Sequence, residues 1–165
     1  MQNHTQLPTG LSFSYETERL ILRLPSTDYL REIHDFLYRN RSCFEKYEPT
    51  APENYYTLDF QQTLARCELK LALKLSSVRF YVFLKEDPST IIGTVCLHNI
   101  IKMPYFTSEV GYKFDASYQH HGYAREALSM ALSVGFYGLG LHKIFARCMP
   151  ENAPSRNLLH ATGFF

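Results

Sequence analysis

The chain has 165 residues and a mass of 19.2 kDa, a length that fits one domain with a sizeable core rather than two domains or a stapled mini-protein. Hydrophobic residues make up 45% and charged residues 20%, which excludes a disordered chain. With 17 Lys+Arg against 16 Asp+Glu the formal net charge is +1, so no global field steers the protein to nucleic acid or to an anionic membrane.

Residues 1–15 are polar, broken by Pro8 and Gly10, and lack the apolar core of a signal peptide; they read as a flexible tail ahead of a single domain at 16–165. No apolar run reaches the roughly 18–20 residues that cross a bilayer, so a cytoplasmic protein without a membrane partner is expected. Cys43, Cys67, Cys96 and Cys148 form no C-x-x-C pair and read as buried free thiols in a reducing compartment.

Leu20, Leu22 and Leu24 alternate with Ile21 and Arg23 and predict a strand. Ser26, Thr27 and Asp28 then offer helix caps, and Leu30, Ile33, Phe36 and Leu37 follow at helical spacing. Cys43 to Tyr56 shows neither period and reads as a loop. A second helix is predicted from Leu58 to Leu75, with Phe60, Leu64, Cys67 and Leu71 as its buried stripe. The period then changes to two: Val78–Lys85, Ile91–Ile101 and Ser108–Phe114 predict an antiparallel meander. Gly122–Phe136 predicts a helix whose small residues pack closely on a sheet. Lys143–Met149 predicts a strand with Ile144, Ala146 and Cys148 on one face, and a short helix ends near Thr162 with Gly163 at its C-cap. The expected fold is α/β (α+β), a mixed sheet flanked by helices in the order β-α-α-β-β-β-α-β-α.

Gln119-His120-His121-Gly122-Tyr123-Ala124 lies between a predicted strand and a predicted helix, where unpaired backbone amides and the helix dipole suit an anion. Gly122 permits close backbone approach, so a phosphate or diphosphate is the natural guest, although neither a Walker loop nor G-x-G-x-x-G is present. Adjacent His120 and His121 point apart with no spaced third ligand, so no metal is expected.

This segment resembles the acetyl-CoA diphosphate loop of the GCN5-related N-acetyltransferases, Q/R-x-x-G-x-G/A. Ser108-Glu109-Val110-Gly111-Tyr112 is similar to that family's fourth strand. Glu151-Asn152-Ala153-Pro154-Ser155 with Gly163-Phe164 is similar to its N-x-x-S…G-F segment. Thr17-Glu18-Arg19-Leu20-Ile21-Leu22-Arg23 resembles the opening of the RimJ/RimL-like branch, which acetylates N-terminal amines of ribosomal proteins. The resemblance implies acetyl-CoA as co-substrate and direct attack of an amine on the thioester.

On that basis Gln119, His120, His121, Gly122, Tyr123, Ala124 and Arg125 are expected at the cofactor, with Arg125 either charging the diphosphate site or simply solvated. The backbone from Val110 through Gly111 to Tyr112 is expected to supply the oxyanion donor. Glu109 is the candidate general base, its alternative being an exposed strand Glu in a surface pair. Many relatives carry a Tyr at the place of Leu159 as acid to the departing thiolate. Ser155 either takes that part or hydrogen-bonds its own helix. Asn152 contacts pantetheine, caps its helix, or does both. Tyr47, Glu48 and Tyr55, beside Glu45 and Tyr56, form either an acidic, aromatic acceptor rim or a solvated loop.

The acceptor implied is a protein or peptide N-terminus. The alternatives are a small amine such as a polyamine or aminoglycoside, or a CoA-binding protein without turnover. The resemblance also implies further strands after Gly163-Phe164-Phe165. Either the sequence is truncated there or a partner, such as a second copy in a homodimer, completes the sheet.

Overall fold

The computed structural model describes residues 7 and 9–165. Its centre is a six-stranded sheet in which spatial order follows sequence order: β1 (Ser14–Glu16), β2 (Leu20–Arg23), β3 (Val78–Leu84), β4 (Ile91–Ile101), β5 (Thr107–Phe114) and β6 (Lys143–Ala146). Neighbours from β1 to β5 are antiparallel, while β5 and β6 are parallel. The parallel pair requires a crossover, and α3 (Tyr123–Ser133), extended by a π-helical turn at Val134–Gly138, supplies it.

The period-two strands separate two faces. Leu20, Leu22, Phe80, Val82, Val95, Leu97 and Val110 bury against Ala127, Leu128 and Ala131 of α3 and Leu159 of α4 (Ala153–Ala161). Tyr81, Phe83 and Ile91 bury against Ile33, Phe36, Leu37 and Phe44 of α1 (Leu30–Phe44) and Ala65 of α2 (Leu58–Leu73). Each fully buried Leu, Ile or Phe contributes about 1.5–3 kcal/mol, so these two apolar layers dominate the stability. Along β5 the alternation sends Ser108, Val110, Tyr112 and Phe114 toward α3 and α4. Thr107, Glu109, Gly111 and Lys113 therefore face α1 and α2. No helix among the described residues is long and apolar enough to cross a membrane.

The element order matches the sequence expectation apart from one added strand, and four details are corrected. Residues 11–15 are not a flexible tail. Leu11 is fully buried, the Leu24 amide donates to the Phe13 carbonyl, and Ser14–Glu16 pair with Ile21–Arg23. The expected loop from Cys43 begins later, because α1 continues to Phe44, which closes on the Phe36 ring.

On α2 the buried positions are Gln61, Ala65 and Ala72, one place round from the expected stripe, and Leu71 and Cys67 are exposed. Two polar demands set that rotation. Glu68 accepts from Arg79 Nε at 2.6 Å and from the Tyr81 hydroxyl at 3.2 Å, while Gln61 Nε2 donates to the Tyr55 carbonyl at 2.6 Å. Finally, β6 stops at Ala146, where its pairing with β5 ends, so Cys148 is an exposed thiol and not a core residue; of the four cysteines Cys96 alone is buried.

Candidate active site

The pairing of β5 with β6 runs from Thr107–Lys143 to Val110–Ala146 and then stops, while β5 continues to Phe114. From Gly111 onward the β6-facing side of β5 has no strand partner among the described residues. The backbone of Val110, Gly111 and Tyr112 therefore borders a wedge that begins where β5 runs on past the end of its pairing with β6.

Beyond the end of β5 lies the loop singled out in the sequence. Asp115 caps the turn at Ala116–Tyr118, accepting from the Ser117 amide at 2.9 Å, and Gln119 to Gly122 lead into α3. His120 and Gly122 both take left-handed backbone conformations, with φ of 63° and 81°. Two such residues turn the chain sharply, and glycine adopts that geometry without cost. Among the described residues no protein acceptor meets the amides from His120 to Arg125, and Gly122 offers no side-chain cap. Gln119, His120, His121, Gly122 and Arg125 are solvent-exposed, Tyr123 and Ala124 partly so. These are the unsatisfied donors and the dipole end that a diphosphate requires, so the residues present fit that group.

The loop is held from behind. Thr17 Oγ1 donates to Glu126 Oε1 at 2.5 Å, and the Arg19 amide and Nε donate to the two Glu126 oxygens at 2.8 Å each. Arg19 Nη1 donates to the His121 carbonyl at 2.9 Å, and its guanidinium lies 4.6 Å over the Tyr123 ring, which stacks on His121. Burial acts to raise the Glu126 carboxyl, but the Thr17 and Arg19 hydrogen bonds outweigh it and hold the group below its ordinary value.

On the α1/α2 face Glu109 stands opposite His98 in register and accepts from Arg147 at 2.9 Å. His98 Nε2 would lie 3.5 Å from a Cβ on Gly111, so the imidazole leans over the rung at which β5 and β6 part. The β4–β5 register shifts just beyond His98, where Asn99 has φ 50°, a bulge of the kind that re-aims side chains beside functional sites. Burial pushes the His98 imidazole below its usual value despite the pull of Glu109, which leaves it neutral at neutral pH. Sequence reasoning missed His98, because a lone His in a strand carries no local signal; its register with Glu109 is what marks it.

The structure brings Tyr112 and Ser155 together: their hydroxyls are 2.7 Å apart, joining β5 to the first turn of α4. Asn152 caps α4 by accepting from the Ser155 amide at 3.2 Å. Leu159 is buried in the core. Of the expected acceptor rim, Tyr47 is exposed and Tyr55 half-buried, edge-on to Tyr56. Glu48 accepts from Lys113 Nζ at 2.8 Å, which lowers the α1–α2 loop over the Gly111 side of β5. Burial pulls the Lys113 ammonium down despite Glu48. Among the described residues no group of three or more His, Cys, Asp or Glu is placed to hold a metal ion.

A mixed sheet whose one parallel pairing stops at Val110–Ala146, with open amides at the start of its crossover helix, fits an acyl-transferring domain. Residues 19–165 match the acetyltransferase (GNAT) domain model, and the chain belongs to that family of acetyltransferase enzymes. It is 31% identical over 125 residues to "Probable N-acetyltransferase YjcK" of Bacillus subtilis, covering 76% of this chain and 68% of that protein. Two other Bacillus relatives are matched over 48% and 52% of their lengths, so the chain spans about half of each. Among solved structures it is similar to the ribosomal-protein-S5-alanine acetyltransferase of Vibrio fischeri, with TM-score 0.86 and 30% identity over 92% of this chain and 82% of that one. It shares its fold with Mycobacterium smegmatis RimJ in complex with CoA-disulfide, at TM-score 0.81 and 22% identity, over 87% of this chain and 69% of that one.

Proposed function

We propose that this chain transfers the acetyl group of acetyl-CoA to a primary amine, and that its acceptor is the α-amine of a protein or peptide N-terminus. The observations that carry the proposal are the end of the β5–β6 pairing at Val110–Ala146 and the open amides of His120 to Arg125 at the start of α3. Those amides and the positive end of α3 hold the diphosphate, with Gln119, His121 and Arg125 at its margin. The wedge bordered by Val110, Gly111 and Tyr112 takes the pantetheine arm, and a backbone amide there stabilises the developing oxyanion. Acetyl-CoA, when bound, supplies an activated thioester.

Glu109 takes the amine proton, directly or through a water, from the side of the sheet that the α1–α2 loop covers. Ser155, in the first turn of α4, gives a proton to the departing sulfur, and Asn152 fixes that turn. Tyr47, Glu48 and Tyr55 border the acceptor's approach. An α-amine with pKa near 7.7–8.0 is partly neutral at cellular pH, whereas a lysine amine near 10.4 is almost wholly protonated and needs more help. The S5-alanine acetyltransferase of Vibrio fischeri, named for a protein alanine as its acceptor, supports the same choice.

The test is an acceptor screen with acetyl-CoA that follows release of free thiol. Turnover with peptides bearing a free N-terminus, and none with the same peptides N-terminally blocked or with polyamines, is expected. Turnover confined to polyamines or aminoglycosides would replace the acceptor assignment. Tight acetyl-CoA binding without turnover on any amine would leave a CoA-binding protein.

A further inference from the structure

We propose that Tyr112 is the proton source behind Ser155, forming a two-hydroxyl relay that replaces the tyrosine absent at Leu159. The inference rests on the proposed acetyl transfer and assigns a role within that site to a side chain otherwise engaged only through its backbone.

The geometry has three parts. Tyr112 lies two positions beyond Val110, the last residue of β5 paired with β6, so it stands where the wedge opens. Its side chain points toward α4, and its hydroxyl meets Ser155 Oγ at 2.7 Å and the Ser155 carbonyl at 3.3 Å. Ser155 is itself fixed by the Asn152 cap, so the two oxygens are held by the backbones of two different elements, β5 and α4. Leu159, one helical turn further along α4, is buried in the core and has no proton to give.

A serine hydroxyl alone is a poor acid, and an alkoxide left on it would stay unpaired. The Tyr112 contact removes that difficulty. As the carbon–sulfur bond breaks and its electron pair moves to sulfur, Ser155 Oγ gives its proton to sulfur. The Tyr112 hydroxyl replaces the proton on Oγ, and solvent returns a proton to the phenol as it receives the one that Glu109 took from the amine. Burial raises the Tyr112 phenol above its ordinary value, against the Ser155 hydrogen bond, so it carries its proton at neutral pH. Tyr112 is partly buried: its ring packs on the core while its hydroxyl meets Ser155.

The test combines a binding and a kinetic readout on the full chain. Protein labelled at the phenolic carbon of tyrosine is titrated with CoA and with desulfo-CoA. The Tyr112 signal, assigned by its loss in Y112F, is expected to move with CoA, to stay with desulfo-CoA, and to stay with both in S155A. At saturating acetyl-CoA and acceptor, Y112F lowers kcat by about 10²-fold while the acetyl-CoA Kd is preserved, and Y112F/S155A falls no further than S155A alone. Unchanged kcat in Y112F, losses that add in the double variant, or a Tyr112 signal blind to the sulfur in a wild-type protein that binds CoA would each overturn the relay alone. A wild-type protein that binds neither CoA nor desulfo-CoA overturns the acetyl-CoA proposal, and the relay with it.

Discussion

Arg19 and Glu126 are 107 positions apart in the chain and are joined by two hydrogen bonds of 2.8 Å, one from the Arg19 backbone and one from its guanidinium. The carboxylate sits in the first turn of α3, where a negative charge favours the helix dipole. Arg19 also reaches the His121 carbonyl, so the opening Thr17-Glu18-Arg19 motif acts as a buttress for the loop that leads into α3. Removing it with R19A is expected to raise the acetyl-CoA Kd about tenfold and to cost about 1 kcal/mol of stability, the pair being partly exposed. R19K, with a point charge in place of the fork, should fall between. Titration calorimetry and urea unfolding check both figures; unchanged affinity in R19A would mean that the loop holds its shape unaided.

At Gly122 the backbone has φ 81°, and a Cβ would stand 3.4 Å from Arg19 Nη2. G122V therefore strains the backbone by about 1–2 kcal/mol and pushes a branched side chain toward the buttress. The expected result is an acetyl-CoA Kd raised about 10²-fold, with a smaller rise for G122A. Calorimetric titration with CoA decides it, and an unaltered affinity would move the diphosphate away from this turn.

What could be read from the sequence was local, and what could not was set across the fold. The run from Gln119 to Ala124 announces itself because a glycine and the start of an amphipathic helix occupy neighbouring positions. The Asn152 cap and the positive φ of Gly163 follow from the same short-range chemistry. Strand β1 has three residues and gains its identity from pairing with β2, which no window within it reveals. The α2 stripe fails as a sequence signal because Arg79, on another element, draws Glu68 inward and turns the helix. His98 and the Tyr112–Ser155 contact escape for a related reason: register brings His98 to Glu109, and the parallel crossover brings α4 back to β5.

Glu109 is placed to take the amine proton. E109Q keeps the shape and most of the hydrogen bonding to Arg147 while removing the base. It is expected to lower kcat about 10²-fold at pH 7 and to leave the acetyl-CoA Kd unchanged. Above pH 8 the free α-amine is abundant, so the deficit should shrink as pH rises through about 7.7–8.0. Steady-state rates with an N-terminal peptide across that range read the effect directly. A deficit that stays constant with pH would take the base role from Glu109, and H98Q then becomes the informative variant.

Asp115 follows β5 and starts the turn that leads into the loop before α3. Its buried carboxylate accepts from Arg39 Nε at 2.6 Å, Asn40 Nδ2 at 3.0 Å and the Ser117 amide at 2.9 Å, while Arg39 also binds the Ile91 carbonyl. Burial pulls the carboxyl up, but the Asn40 and Arg39 bonds prevail and hold it below its ordinary value. A carboxyl depressed in the folded state stabilises the fold fully above its unfolded value of about 3.9, and that contribution disappears as pH falls through the lower folded value. D115A, which strands Arg39 and Asn40, is expected to cost about 3 kcal/mol at pH 7. D115N should be less damaging because it keeps one acceptor oxygen. In urea unfolding the gap between wild type and D115N should be widest above about pH 5 and close on acidification below about pH 4. A gap that keeps its size into acid would show that shape, not charge, is what Asp115 contributes to the turn.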